Sequence, residues 1–105
     1  MRRIKLGHHY YYVVTPEDLS SSERKLRGKN VVLEGVIEDK PIIEFLPMEL
    51  PSWRTTFKLH GLSVEFSGSP CVGKGERVKV YGRFVGDGII ATAIETETAL
   101  FTTEE

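Results

Sequence analysis

The sequence has 105 residues, which is enough for one domain and too few for two. An apolar fraction of 40% with 28% charged residues is typical of a globular chain and not of a disordered one. The net charge of −1 predicts no general attraction to nucleic acid or membranes, and a single cysteine, Cys71, excludes an intrachain disulfide framework and a multi-cysteine zinc site. No apolar run approaches the roughly 20 residues that span a bilayer, and no secretory signal is evident. We therefore expect a soluble, cytoplasmic protein without a membrane segment.

The first quarter of the chain predicts an extended segment followed by one short helix. Aromatic and β-branched residues over 10–14 favour an extended backbone. Thr15 is a good N-cap, Pro16 suits the first helical position, and Asp18 stands where a capping-box acid reaches back. The weak helical stretch that follows is expected to end near Gly28.

From residue 29 onward the pattern alternates between strands and turns. Gly35 lies inside the first strand, where a lone glycine often marks a bulge or a sharp bend. The prolines of residues 40–52 predict a long irregular loop, residues 68–75 are too short a connection for a full helix, and Gly86-Asp87-Gly88 is typical of a hairpin turn. The five predicted strands are Asn30–Glu38, Trp53–His60, Leu62–Ser67, Arg77–Phe84 and Ile89–Thr96.

Five strands of this length can curl into a small closed sheet, which removes exposed edges. The sequence therefore predicts an all-β fold: a small, five-stranded, OB-fold-like barrel with a short N-terminal helix. We divide the single domain into an N-terminal arm and helix over 1–28, the barrel over 29–96, and an acidic tail over 97–105.

Two phrases of the sequence carry a resemblance to a known superfamily. Residues 28–37 (GKNVVLEGVI) and 75–84 (GERVKVYGRF) each run from a glycine through polar and β-branched residues to or past a second glycine. Through these two phrases the chain from Leu26 to Thr96 resembles the OB-fold single-stranded nucleic-acid-binding superfamily. The resemblance implies a barrel and an oligonucleotide ligand. Residues 12–17 (YVVTPE) are also similar to the segment before the first strand in the OB domain of haem chaperones for cytochrome c maturation. That family attaches haem through a histidine after the last strand, and this chain has none after His60, so only the fold is implied.

The polar face of the second predicted strand is the first candidate for nucleic-acid binding. Arg54, Lys58 and His60 project together at spacings of roughly 7–14 Å, which suits a phosphate backbone. Residues 52–84 carry a net charge of +4 and residues 34–51 a net charge of −4, so a neutral total can hide a basic face. Glu65 on the next strand weakens this patch. The alternative to a binding site is that these basic residues only form a solvent-exposed strand face.

Base stacking needs exposed aromatic side chains. Alternation places Tyr81 outward on the fourth predicted strand, beside Arg83, and it is the first choice for stacking. Trp53, at a junction between loop and strand, is expected to be half exposed. Phe57 and Phe66 fall on apolar faces and are predicted to be core, and at least one of the tyrosines of 10–12 is expected to be exposed.

The apolar loop of residues 42–50 offers a different function. If its side chains, Ile42, Ile43, Phe45, Leu46, Met48 and Leu50, fold back, they cover an open end of the barrel; if they do not, they form a protein contact. Folding back is the favoured expectation. The N-terminal aromatic arm, Tyr10–Tyr12, is a second possible protein contact.

Enzymatic chemistry finds little support. His8, His9 and His60 could hold a metal only if the N-terminal arm folded onto the second strand, and Cys71 has no nearby histidine to activate it. We predict no catalytic residue, no metal and no cofactor. The predicted function is binding of single-stranded DNA or RNA by Arg54, Lys58, His60, Arg83, Tyr81 and Trp53, and the alternative is a protein-interaction module.

Overall fold

The computed structural model describes residues 1–47 and 49–103, and most of this backbone is β-strand. Its elements, in chain order, are β1 (Arg3–Leu6), β2 (His9–Val14), α1 (Pro16–Ser21), α2 (Glu23–Leu26), β3 (Asn30–Val36), β4 (Ile42–Leu46), β5 (Ser52–Leu59), β6 (Leu62–Ser67), β7 (Arg77–Phe84), β8 (Gly88–Glu95) and β9 (Leu100–Thr102). The five strands predicted from the sequence correspond to β3, β5, β6, β7 and β8, with ends that agree within two residues. The β-rich fold class is therefore confirmed.

All strands belong to one sheet. Its order is β1-β2-β3-β7-β8-β6-β5-β4, and β9 pairs with β8. The β2–β3 and β6–β8 pairs are parallel, and the remaining pairs are antiparallel. Within residues 1–47 and 49–103 no ladder joins β1 to β4, so the strand order is open and ends in two edge strands.

The helical segment begins with the predicted capping box. The backbone N–H of Asp18 donates to Thr15 Oγ1 at 3.1 Å, and the N–H of Thr15 donates to Asp18 Oδ2 at 3.0 Å. Pro16 is the first helical residue, because its missing N–H needs no partner there. Leu19 and Leu26 are buried in the main core, so α1 and α2 cover part of its apolar surface.

The main core lies on the inner face of the sheet. It receives alternate side chains from β3, β5, β6, β7 and β8, which explains the period-two pattern of the sequence. Phe57 and Phe66 belong to it, as predicted. The connection over residues 68–75 contains no helix, also as predicted.

A second apolar cluster lies on the outer face of the sheet, where the sequence predicted solvent. It consists of Tyr11, Val32, Tyr81 and Ala93, with Ile4, Leu6 and Val13 packed against it. The β1–β2 hairpin supplies the covering side chains, since Ile4 and Tyr11 are paired across its two strands. β1 was not predicted from the sequence, and its cover of this face was therefore not expected.

Gly35 does not mark a bulge, because the β3–β7 register runs through it without a shift. It leaves room for the His60 ring, whose Nε2 would lie 2.6 Å from a Cβ at this position. His60 and Gly61 form the β5–β6 turn with left-handed φ values of 52° and 78°. His60 Nε2 donates to the Glu34 carbonyl oxygen at 2.9 Å, which ties this turn to β3.

Two regions outside the five predicted strands also contain strands. The loop predicted over 40–52 holds β4, and the tail predicted over 97–105 holds β9, which pairs with β8. Met48 of the apolar loop and Glu104 and Glu105 of the tail lie outside the described residues.

Candidate interaction surface on β4 and β5

Exposed apolar side chains lie together on a ribbon formed by β4 and the first half of β5. Phe45 pairs with Trp53 and Ile43 with Thr55, so these four side chains share one face of the ribbon. The exposed fractions are 47% for Ile43, 50% for Phe45 and 48% for Trp53. The Phe45 and Trp53 rings contact edge to face, with centroids 5.1 Å apart. We call Ile43, Phe45 and Trp53 the apolar ribbon; Ile42, opposite Thr56, is exposed on the other face of β4.

The exposure of the apolar ribbon corrects the expectation that the loop over 42–50 folds back. Pro41 and Pro47 flank β4, and the strand between them pairs with β5 instead of covering the core. Leu50, in the connection to β5, is 85% exposed. The expected half-exposure of Trp53 is confirmed.

A groove of about 560 Å³ adjoins the apolar ribbon at Trp53. One wall is formed by Trp53 and Phe66, and the opposite wall by Leu100 and Phe101 around β9. Pro70, from the connection after β6, also lines it. The groove therefore extends the apolar surface of the ribbon toward the last strand.

Arg54 is neutralised by two carboxylates. Its Nη2 lies 3.2 Å from Glu44 Oε1 on β4, and its Nη1 lies 3.3 Å from Glu65 Oε1 on β6. The hydrogen bond that Arg54 donates to Glu44 and the charge of Glu44, followed by the charge of Glu65, raise the pKa of Arg54 above its ordinary value. The predicted weakening of the patch by Glu65 is confirmed, and Glu44 adds to it.

The other predicted phosphate-binding residues do not form one continuous basic groove with Arg54. Lys58 is exposed and lies opposite Ser63 on β6. His60 is engaged with the Glu34 carbonyl. Arg83 is exposed on β7, where it pairs with Asn30 and Ile90 on the neighbouring strands.

Tyr81 is buried, contrary to the prediction that it is an exposed stacking residue. Only 4% of it is exposed. The Tyr11 ring packs against it edge to face at 5.4 Å, and its hydroxyl donates to Glu95 Oε1 at 2.7 Å. The side chain points outward from the sheet as predicted, but the β1–β2 hairpin covers that face. Tyr10, by contrast, is 56% exposed, which confirms that one tyrosine of the arm is exposed.

We expect the stability of the wild-type protein to fall more steeply above about pH 10 than that of Tyr81→Phe. Burial, then the hydrogen bond to and charge of Glu95, raise the pKa of Tyr81 above its ordinary value of 10.0. The unfolded chain therefore loses the phenolic proton at a lower pH than the folded chain. The resulting stabilisation is fully present below the unfolded pKa and is lost as the pH rises through the folded pKa. Urea-unfolding free energies at several pH values check this, and equal slopes in the two proteins would contradict it.

No group of three or more His, Cys, Asp or Glu side chains within residues 1–47 and 49–103 is placed to hold a metal ion. None of the helices described is both long and apolar enough to cross a membrane. Cys71 is exposed and forms no disulfide.

No protein-family model, curated protein or solved structure matches this chain. The chemistry of the surface is given by its own residues: an exposed apolar ribbon, a neutralised arginine, and an adjoining groove lined by both apolar and hydroxyl side chains.

Proposed function

We infer that this chain is a non-catalytic protein-interaction module that binds an extended segment of a partner protein along β4. The observation that carries this inference is that β4 is an edge strand on which Ile43 and Phe45 are exposed on one face, next to the exposed Trp53 of β5. Exposed apolar residues collected in one patch are a property of contact surfaces, whereas single exposed ones are ordinary.

The free edge of β4 defines how the partner binds. In the described part of the chain β4 pairs with β5 alone, so one side of its backbone presents N–H and C=O groups to a further strand. An added strand gains main-chain hydrogen bonds from this edge and side-chain contacts from the apolar ribbon. The Phe45–Trp53 pair is an anchor of the kind that dominates protein interfaces.

The charge around β4 defines the chemistry of the partner. Residues 34–51 carry a net charge of −4, and because Glu44 pairs with Arg54 and Glu34 with Arg77, the remaining acidic excess comes from Glu38, Asp39 and Glu49 against Lys40. A partner strand with apolar side chains toward the ribbon and basic residues beside them is complementary to this surface. A second copy of the chain would place the same acids against each other, so we assign a different protein as the partner.

The proposal is tested with a short synthetic peptide in which valine and lysine alternate, and a matched peptide with glutamate in place of lysine. Trp53 is the single tryptophan, so its fluorescence reports on the ribbon. We expect the lysine peptide to bind, to shift this fluorescence and to slow amide exchange over residues 42–46. Ile43→Asp should weaken binding about tenfold or more. Ile90→Asp, which adds the same charge at an exposed apolar residue of β8, is the matched control and should bind as wild type.

Three outcomes would overturn the proposal. The first is equal binding of the two peptides, which would remove the charge argument. The second is binding that Ile43→Asp leaves unchanged. The third is self-association of the chain alone with slowed exchange over residues 42–46, which would make a second copy the occupant.

The same proposal includes an OB-like arrangement of the strands. It treats β3 and β4 as two halves of one long, bent strand, since the first half pairs with β7 and the second with β5. Between the halves the N–H of Glu38 donates to the Lys58 carbonyl at 3.1 Å, which supports closure of the sheet at this point. A slowly exchanging Glu38 amide would agree with closure, and a freely exchanging one would contradict it.

Binding of single-stranded nucleic acid is a second candidate function. Lys58 and Arg83 favour it, because both are exposed and neither pairs with a carboxylate within the described ranges. Among the exposed aromatic side chains, Trp53 lies nearest to Lys58 in sequence. Loss of oligonucleotide binding in Lys58→Ala or Arg83→Ala would support this assignment.

A further inference from the structure

The β1–β2 hairpin has two chemically distinct faces. Ile4, Leu6 and Tyr11 point toward the second apolar cluster and anchor the hairpin on the sheet. The residues that alternate with them, Arg3, Lys5 and Tyr10, are exposed on the opposite face. Lys5 pairs directly with Tyr10 across the two strands. The apolar face thus fixes the position of a basic and aromatic face.

The two cations and the tyrosine form one compact group. Arg3 Cζ lies 5.4 Å from the centroid of the Tyr10 ring, and Lys5 Nζ lies 5.7 Å from it. Both distances are within the range of a cation–π contact. Arg3 and Lys5 are two residues apart on one strand, and therefore about 7 Å apart along it. These contacts hold both cations over the exposed Tyr10 ring.

The charge of this group is not balanced locally. Residues 1–16 contain three basic residues and no acidic one. The ion pairs formed within residues 1–47 and 49–103 involve Arg27, Arg54 and Arg77, so no carboxylate there neutralises Arg3 or Lys5. Arg54 differs from Arg3 and Lys5, because Glu44 and Glu65 form ion pairs with it. The sequence signal of this basic group is the absence of acidic residues before Glu17.

We propose that Arg3, Lys5 and Tyr10 form a binding site for single-stranded nucleic acid on the β1–β2 hairpin. The two cations contact successive phosphates, and the Tyr10 ring provides a surface on which a base stacks. Positive charge that follows the backbone, combined with an aromatic surface, is how sequence-tolerant single-strand binders work. An acidic protein segment would use the cations but not the ring, and for that reason we favour a nucleic acid. The site is independent of the protein-binding proposal for β4.

The test is the fluorescence anisotropy of a labelled single-stranded oligonucleotide, titrated with the full chain over a range of salt concentrations. The logarithm of the binding constant should fall linearly with the logarithm of the salt concentration. Arg3→Ala and Lys5→Ala together should lower this slope by about 1.4, because each phosphate contact contributes about 0.7 for a single strand. Arg24→Ala and Lys25→Ala together remove the same charge from exposed positions on α2 and should leave the slope unchanged.

Tyr10 separates stacking from simple charge attraction. Tyr10→Phe keeps the ring and should bind as wild type, whereas Tyr10→Leu should bind about tenfold more weakly. Polyglutamate serves as a competitor that has the charge but no bases. Weak competition by polyglutamate, compared with an unlabelled oligonucleotide at equal charge, is the expected result.

Several results would overturn the proposal. Absence of oligonucleotide binding at low salt would do so, as would equal effects of the Arg3/Lys5 and Arg24/Lys25 pairs of substitutions. If only Lys58→Ala and Arg83→Ala weakened binding, the oligonucleotide would bind at these residues of β5 and β7 and not on the hairpin. Wild-type binding by Tyr10→Leu together with full competition by polyglutamate would make the hairpin a general polyanion surface.

Discussion

Gly82→Ala is expected to destabilise the protein by at least about 3 kcal/mol, the largest effect of any single methyl group considered in this fold. Gly82 lies in β7 where the register with β8 shifts, between the Tyr81–Ala93 and Gly82–Ala91 pairs. A Cβ at Gly82 would lie 2.7 Å from Ala91 Cα and would also contact the Ile90 carbonyl oxygen. Non-bonded carbon atoms prefer about 3.5–4.0 Å, and both neighbours belong to the backbone. The clash can be relieved only by separating the two central strands.

Urea denaturation followed by circular dichroism measures this effect. Gly73→Ala is the matched control, because a Cβ at Gly73 meets no atom within 4 Å. It should remain within about 1 kcal/mol of wild type. Similar stabilities for the two variants would show that β7 and β8 do not approach each other at Gly82 as described.

The strands of the main core could be predicted because one face of each is apolar and buried, and alternates with a less apolar face. In β7, for example, Val78 and Val80 alternate with Arg77 and Lys79, and the predicted bounds are those observed. The capping box of α1 could be predicted for a similar reason, since Thr15 and Asp18 act within one helical turn. Local geometry decides both features, so a single sequence is enough.

Alternation alone could not predict what covers the outer face of the sheet. It assigns a side chain to one face, and it assigned Tyr81 correctly to the outer one. Whether that face meets water depends on a distant segment, the β1–β2 hairpin, which contacts Tyr81 through Tyr11. Since β1 is four residues long and alternates basic with apolar residues, it carried little signal of its own.

The residues of β4 were named as a possible protein contact, but the strand itself escaped prediction for the opposite reason. Ile42, Ile43, Phe45 and Leu46 are apolar on both faces of one strand, which gives no period of two. The flanking prolines then favoured an irregular loop. The ion pairs of Arg54 with Glu44 and Glu65 join three strands, and their partners could not be identified before the pairing of those strands was known.

Tyr81→Ala should lower the free energy of unfolding by about 3 kcal/mol. The substitution removes a buried ring from a cluster in which Tyr11 and Val32 are also buried, and the residual cavity lies between the hairpin and the sheet. Tyr81→Phe keeps the ring and removes the hydrogen bond to Glu95, so we expect a loss of about 1 kcal/mol. Urea denaturation of the three proteins at neutral pH gives these differences.

Tyr10→Ala is the control for this series, because Tyr10 belongs to the same hairpin but is exposed. Its effect on stability should be within about 0.5 kcal/mol, as for most surface substitutions. If Tyr81→Ala were as mild as Tyr10→Ala, the outer face of β7 would be open to solvent and the hairpin would not pack there. Since Ile4, Leu6 and Tyr11 anchor the hairpin through this cluster, such a result would also remove the fixed arrangement of Arg3, Lys5 and Tyr10 on its opposite face. The stability of Tyr81→Ala therefore tests the support of the proposed nucleic-acid site without any ligand present.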